Sequence, residues 1–288
     1  MKSVVRLTLA SILLFTFAAP AGAGAILPGF NGAALGGNDD GSTGLVPIGF
    51  TLNFYAVSGA TQLYVNNNGN VTFTGPLSTF TPFGLLTSSL AIIAPFFADV
   101  DTRGGGELVT YGAGTFGGRT AFGVNWGSAG GAGVLYYQAP HPVPTNANNF
   151  QLVIVDRSDT GAGNFDFMFN YDRIQWEAGE ASESDAAGCG GSSARVGWTD
   201  GGIHDFELVG SGVHGAFIDS GTCGPLGPNA LITHSLNSNT LGRYIFEVRE
   251  GSVRDVPGTL PEPSTLFLLG GGLAMLAARV RARRNAAK

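Results

Sequence analysis

Apolar residues fall in short blocks along this chain, broken by glycine, asparagine and serine. Phe165, Phe167 and Phe169 alternate with polar or smaller neighbours, and Tyr244 and Phe246 do the same further on. A period of two puts one set of side chains on a single strand face. The blocks predict strands over Gln62–Asn66, Asn70–Thr74, Leu108–Tyr111, Thr120–Trp126, Val134–Gln138 and Phe150–Asp156. Phe165–Tyr171, Arg195–Trp198, Phe206–Val209 and Arg243–Arg249 follow. Asn67-Asn68-Gly69 separates the first two blocks, and Asn-Gly is a strong hairpin signal because both residues tolerate positive φ. Leu90–Val100 is mostly apolar but contains Pro95, which predicts an edge or broken strand. No stretch before residue 264 sustains a 3.6-residue period. The expectation is a mainly β chain, an antiparallel β-sandwich-like domain of about ten strands. Gly179–Ser193 reads as an exposed loop, and Gly251–Pro263 as a linker.

Composition agrees with this picture and removes several alternatives. The chain has 46 glycines against 36 charged residues in 288. Glycine weakens helices, so a helical bundle is excluded, and without a three-residue period so is collagen. Charge is sorted by position. Lysine occurs only at Lys2 and Lys288, and the stretch between the two basic ends holds eight arginines and all 21 acids, a net charge of −13. Such a body repels phosphate backbones and argues against nucleic-acid partners.

Both ends read as addresses. Lys2 and Arg6, the apolar Leu7–Ala19 and the small residues Ala21-Gly22-Ala23 have the order of a secretory signal, removed by signal peptidase. At the other end, Pro261-Glu262-Pro263 precedes an apolar run, Thr265–Ala278, and then Arg279, Arg281, Arg283 and Arg284. Fourteen helical residues span roughly 21 Å, short of a hydrocarbon core of about 30 Å. The segment therefore crosses with flanking help or only transiently, its basic end held in the cytoplasm.

This tripartite tail resembles the PEP-CTERM sorting signal of Gram-negative bacteria. That resemblance implies an exosortase that reads the motif, an inner-membrane intermediate, and release to the envelope or exterior alongside exopolysaccharide and biofilm matrix. The body resembles the nidogen-like (NIDO) domain. The matching residues are Leu63–Gly69, Ile93–Arg103, Asn149–Leu152, Phe169–Trp176, Arg195–Trp198 and Gly242–Phe246. It implies a matrix or cell-surface protein without catalytic machinery. The expected organisation is a signal peptide over 1–23, a β domain over 24–250, a linker over 251–260 and a sorting signal over 261–288. The implied role is structural or adhesive, with exopolysaccharide or other matrix proteins as partners.

Candidate chemistry is sparse, and no catalytic residues are assigned. Asp99 and Asp101 lie two apart, so on a strand they share a face. They read either as partners of Arg103 or as oxygen ligands for Ca²⁺, the one candidate cofactor. Ca²⁺-assisted polysaccharide binding is the alternative function; a secreted hydrolase ranks third, since the sequence offers no nucleophile–base constellation for it. Gly112-Ala113-Gly114-Thr115-Phe116-Gly117 matches G-x-G-x-x-G, but a strand rather than a helix is expected to follow, which argues against dinucleotide binding. Cys189 and Cys223, the only cysteines, predict a disulfide in an oxidising compartment. Trp126, Tyr136, Tyr137 and Trp176 read as core residues first and sugar-stacking platforms second.

Overall fold

A computed structural model describes residues 24–139, 145–221 and 223–254. The signal peptide, the sorting motif with its apolar run and basic cluster, and His141 lie outside the described residues. In chain order the strands are β1 (Ala33–Ala34), β2 (Val46–Phe54), β3 (Val57–Asn66), β4 (Asn70–Thr72) and β5 (Ala91–Phe97). Next come β6 (Val100–Asp101), β7 (Val109–Phe116), β8 (Arg119–Trp126), β9 (Leu135–Tyr136) and β10 (Asn149–Asp156). β11 (Phe165–Arg173), β12 (Arg195–Asp200), β13 (Asp205–Glu207), β14 (Arg243–Arg249) and β15 (Ser252–Arg254) complete the set. Helix is limited to two single 3₁₀ turns, Leu85–Thr87 and Glu180–Ser182, among the described residues. No described helix is long and apolar enough to cross a membrane.

Two antiparallel sheets form the domain. One has seven strands in the order β1-β7-β8-β10-β11-β14-β15, and the other six in the order β13-β12-β5-β4-β3-β2. A two-stranded ribbon pairs β6 with β9. The alternation in the sequence decides which side chains meet between the sheets. Phe150, Leu152 and Ile154 of β10 and Phe165, Phe167 and Phe169 of β11 share one buried cluster with Leu52 and Phe54 of β2, Leu63 and Val65 of β3, and Ile93 of β5. Rings pack at aromatic distances, with Phe167 stacked on Phe246 at 4.8 Å and Trp126 on Phe150 at 5.2 Å.

The outer face of the seven-stranded sheet is covered by its own N-terminal segment. Gln151 Nε2 donates to the Leu27 carbonyl at 2.8 Å, and Leu27 N–H donates back to Gln151 Oε1 at 3.1 Å. The Phe30 ring lies on Gly114 and Gly123, where a Cβ would come within 2.5 Å and 2.4 Å of ring atoms. The G-x-G-x-x-G match thus has a packing explanation. Gly114 makes room for Phe30, while Gly117 and Gly118, both at positive φ, turn β7 into β8.

Three expectations are corrected. The Pro95 strand is not at an edge: β5 lies between β12 and β4. The missing N–H is tolerated because Pro95 and Phe96 bulge together opposite the single residue Val196 of β12, where the register shifts between Arg195 and Gly197. Pairing also begins earlier than expected. β2 was hidden by Pro47 and Gly49, which it accommodates as an edge strand with a register shift between Pro47 and Leu52. Finally, the sheet runs into the expected linker, since β15 pairs Val253 with Val248 of β14.

Candidate functional site

Three segments distant in sequence converge at one end of the ribbon. The first is the turn Asn38-Asp39-Asp40-Gly41, closed by Gly41 N–H donating to Asn38 Oδ1 at 2.7 Å. Asp40 sits there at φ +57°, a conformation that short polar side chains tolerate. The second is the β3–β4 turn. It is not a solvent-exposed hairpin tip: Asn66, Asn67, Asn68 and Asn70 are all fully buried. Their amides replace water as partners. Asn66 Nδ2 donates to Asn70 Oδ1 at 2.7 Å, Asn67 Nδ2 to the Val100 carbonyl, and Trp126 Nε1 to the Asn67 carbonyl at 2.9 Å. The third segment, Asp99–Arg103, is tied to the second by Val100 N–H donating to Asn68 Oδ1 at 2.9 Å.

The two aspartates expected to act together are divided by this arrangement. Arg103 takes Asp101 in a bidentate grip, Nε to Oδ1 at 3.0 Å and Nη2 to Oδ2 at 2.8 Å, and its Nη2 also reaches Asp39 Oδ2 at 2.8 Å. The pairing reading of Arg103 therefore applies to Asp101. Asp99 is 1% exposed and turns to the other turn instead. Carboxylate oxygens of Asp39, Asp40 and Asp99 lie within 4.8 Å of one another. Asp40 Oδ1 accepts from Asn68 Nδ2 at 2.7 Å, while Asp99 Oδ2 is buried without a hydrogen-bond donor. Burial pushes the Asp99 carboxyl up to about 8, helped by the neighbouring charges of Asp39, Asp40 and Asp101 and opposed by Arg103. Burial likewise raises Asp40. Glycine is required opposite, because a Cβ at Gly179 would stand 2.3 Å from Asp99 Oδ2.

Asp39, Asp40 and Asn68 were not singled out from the sequence. The available signal was Asn38-Asp39-Asp40-Gly41, three oxygen-bearing side chains before a glycine, sixty residues away from Asp99 along the chain.

The other expected sites resolve individually. Cys189 and Cys223 form a disulfide with a Cα separation of 5.4 Å. It closes a loop containing β12 and β13. Beside it, buried Glu177 accepts from the backbone N–H groups of Gly190 at 2.8 Å and Gly215 at 2.9 Å and pairs with His214 Nδ1. Trp126 and Trp176 are fully buried and Tyr136 nearly so, which makes them core rather than platform. Tyr137 is half-buried, with the Arg103 guanidinium 5.9 Å from its ring centre.

Comparison with known proteins places these features. A nidogen-like domain model matches residues 61–115 and 109–250, and a PEP-CTERM protein-sorting motif model matches residues 259–284. The chain is 32% identical over 233 residues to alpha-tectorin of Homo sapiens, covering 73% of this chain and 10% of that protein. It is 32% identical over 237 residues to the Mus musculus protein and 29% over 234 residues to that of Gallus gallus. The chain therefore spans about a tenth of the length of these curated relatives. No solved structure matches it.

Proposed function

The chain belongs to the nidogen-like domain family and carries an export-sorting motif, and on that premise we propose a non-enzymatic structural or adhesive role in the exopolysaccharide or biofilm matrix. The observation that carries this reading is the coupling, in one chain, of a domain over residues 61–250 to a PEP-CTERM motif over residues 259–284. Exosortase-mediated sorting follows from the motif. The finer assignment is that Pro261, Glu262 and Pro263 are read outside the inner membrane while Arg279, Arg281, Arg283 and Arg284 hold the tail inside.

The domain has properties a matrix scaffold needs. Its disulfide suits an oxidising exterior. Its β14–β15 hairpin ends at Arg254, only a few residues before the sorting motif begins, so the sandwich is displayed close to its point of release. The test replaces Pro261, Glu262 and Pro263 together by alanine in the native host. The variant is expected to accumulate in the inner-membrane fraction, and a strain producing only this variant to lose matrix cohesion that the wild-type chain restores. Unchanged surface delivery would overturn the sorting assignment. Normal cohesion in the complete absence of the chain would overturn the matrix role.

A further inference from the structure

We infer that Asp39, Asp40 and Asp99 form a binding site for a divalent cation of the calcium type. The charge balance is the first reason. Asp39, Asp40, Asp99 and Asp101 gather near one guanidinium, Arg103, which forms ion pairs with Asp39 and Asp101. With all four carboxylates ionised, one arginine leaves three negative charges; a divalent ion, which favours the ionised form of its ligands, reduces that to one. Buried charges need a counter-charge or a metal to persist.

The second reason is independent of the clustering. Asp99 is 1% exposed, yet its Oδ2 has no hydrogen-bond donor. Almost every other polar side chain in this region is satisfied: Asn66, Asn67, Asn68, Asn70 and Thr102 all have partners. A buried carboxylate oxygen left bare among satisfied neighbours is the mark of a missing ligand.

The spacing of the three carboxylates fits a Ca²⁺ ion. Two oxygens on opposite sides of Ca²⁺ stand about 4.8 Å apart, given Ca–O distances near 2.4 Å, and the three carboxylates lie within that span of one another. Asp39 and Asp40 are only partly buried, so the site has an entrance and room for water to complete a shell of six to eight oxygens. An ion here would add to the tie between the Asn38–Gly41 turn and the segment after β5, which Thr102 N–H already makes by donating to the Asn38 carbonyl at 2.9 Å. The inference does not depend on the matrix role or on sorting.

The test is calorimetric titration of the chelator-treated mature protein with CaCl₂, and separately with MgCl₂. Saturable 1:1 Ca²⁺ binding is expected with Kd between about 10 μM and 1 mM, the upper part being usual for extracellular modules. Asp99→Asn and Asp40→Asn should each weaken it at least tenfold. Glu250→Gln, on a carboxylate 86% exposed and remote in function, should leave it unchanged. Asp40 lies at the solvent edge, so its variant remains informative should the buried Asp99 variant fold poorly. Absence of saturable Ca²⁺ binding up to about 10 mM, or binding indifferent to Asp40→Asn and Asp99→Asn, overturns the inference.

Discussion

Replacing Gly69 by alanine should be among the most damaging single-methyl changes in this protein. Gly69 has φ +73°, and a Cβ built on it would stand 1.7 Å from the Phe96 carbonyl oxygen. That oxygen belongs to β5, an interior strand held on both sides, so it cannot move aside as a side-chain end would. Two costs follow. The left-handed backbone costs alanine about 1–2 kcal/mol. Relieving the overlap requires the β3–β4 turn to retreat from β5, which breaks the 3.2 Å hydrogen bond from Phe96 N–H to the Gly69 carbonyl and strands both groups in a buried site. That adds about 1–3 kcal/mol, for a total of about 2–5 kcal/mol.

Controls separate the two costs. Gly59 has nearly the same backbone, φ +68°, but nothing within 4 Å of its Cβ position, so Gly59→Ala should cost only the conformational part, about 1–2 kcal/mol. Gly197 is not in the left-handed region but its Cβ would meet the Phe206 carbonyl oxygen at 1.9 Å, so Gly197→Ala reports the steric part alone, about 1–3 kcal/mol. Urea denaturation followed by tryptophan fluorescence measures all three, since Trp126, Trp176 and Trp198 are buried in the shared core. If Gly69→Ala costs no more than Gly59→Ala, the close approach of turn to strand is wrong.

Two further outcomes follow from the structure. The Cys189–Cys223 bridge spans 34 residues, so the Cys189→Ala/Cys223→Ala variant should lose about 4 kcal/mol in the same denaturation assay, and reduction of the wild-type protein should lower stability comparably. At Asp219, burial pushes the carboxyl from 3.8 up to about 6, partly opposed by the Ile174 N–H bond. A raised folded-state value means that this group favours folding below the unfolded value and loses that contribution as pH rises through about 6. Asp219→Asn should therefore gain on wild type between pH 4 and pH 8, by on the order of 1 kcal/mol once solvent screening of this partly buried group is allowed for. Melting curves across that range give the sign directly, and a constant difference would refute it.

The fold class was written into the chain because alternation is local. Phe165, Phe167 and Phe169 have a period of two whatever lies opposite them, and Asn67-Asn68-Gly69 turns the chain wherever it sits. The resemblances were equally legible, since Pro261-Glu262-Pro263 and Ile93–Arg103 are contiguous strings. The cysteines were legible because there are only two. What the sequence could not decide is which distant segments come together. β2 was obscured by Pro47 and Gly49, whose acceptability depends on its place at a sheet edge. Pro95 was misplaced to an edge because the bulge that accommodates it is defined only by pairing with β12, a hundred residues later. The formal phosphate-loop glycines have their reason in Phe30, eighty residues earlier. The same holds for the acidic site. Spacing paired Asp99 with Asp101, but Arg103 removes Asp101, and the partners that replace it, Asp39 and Asp40, arrive through a turn that only sheet packing brings within 4.8 Å. Periodicity is a property of neighbours in the chain; a site charge is a property of neighbours in space.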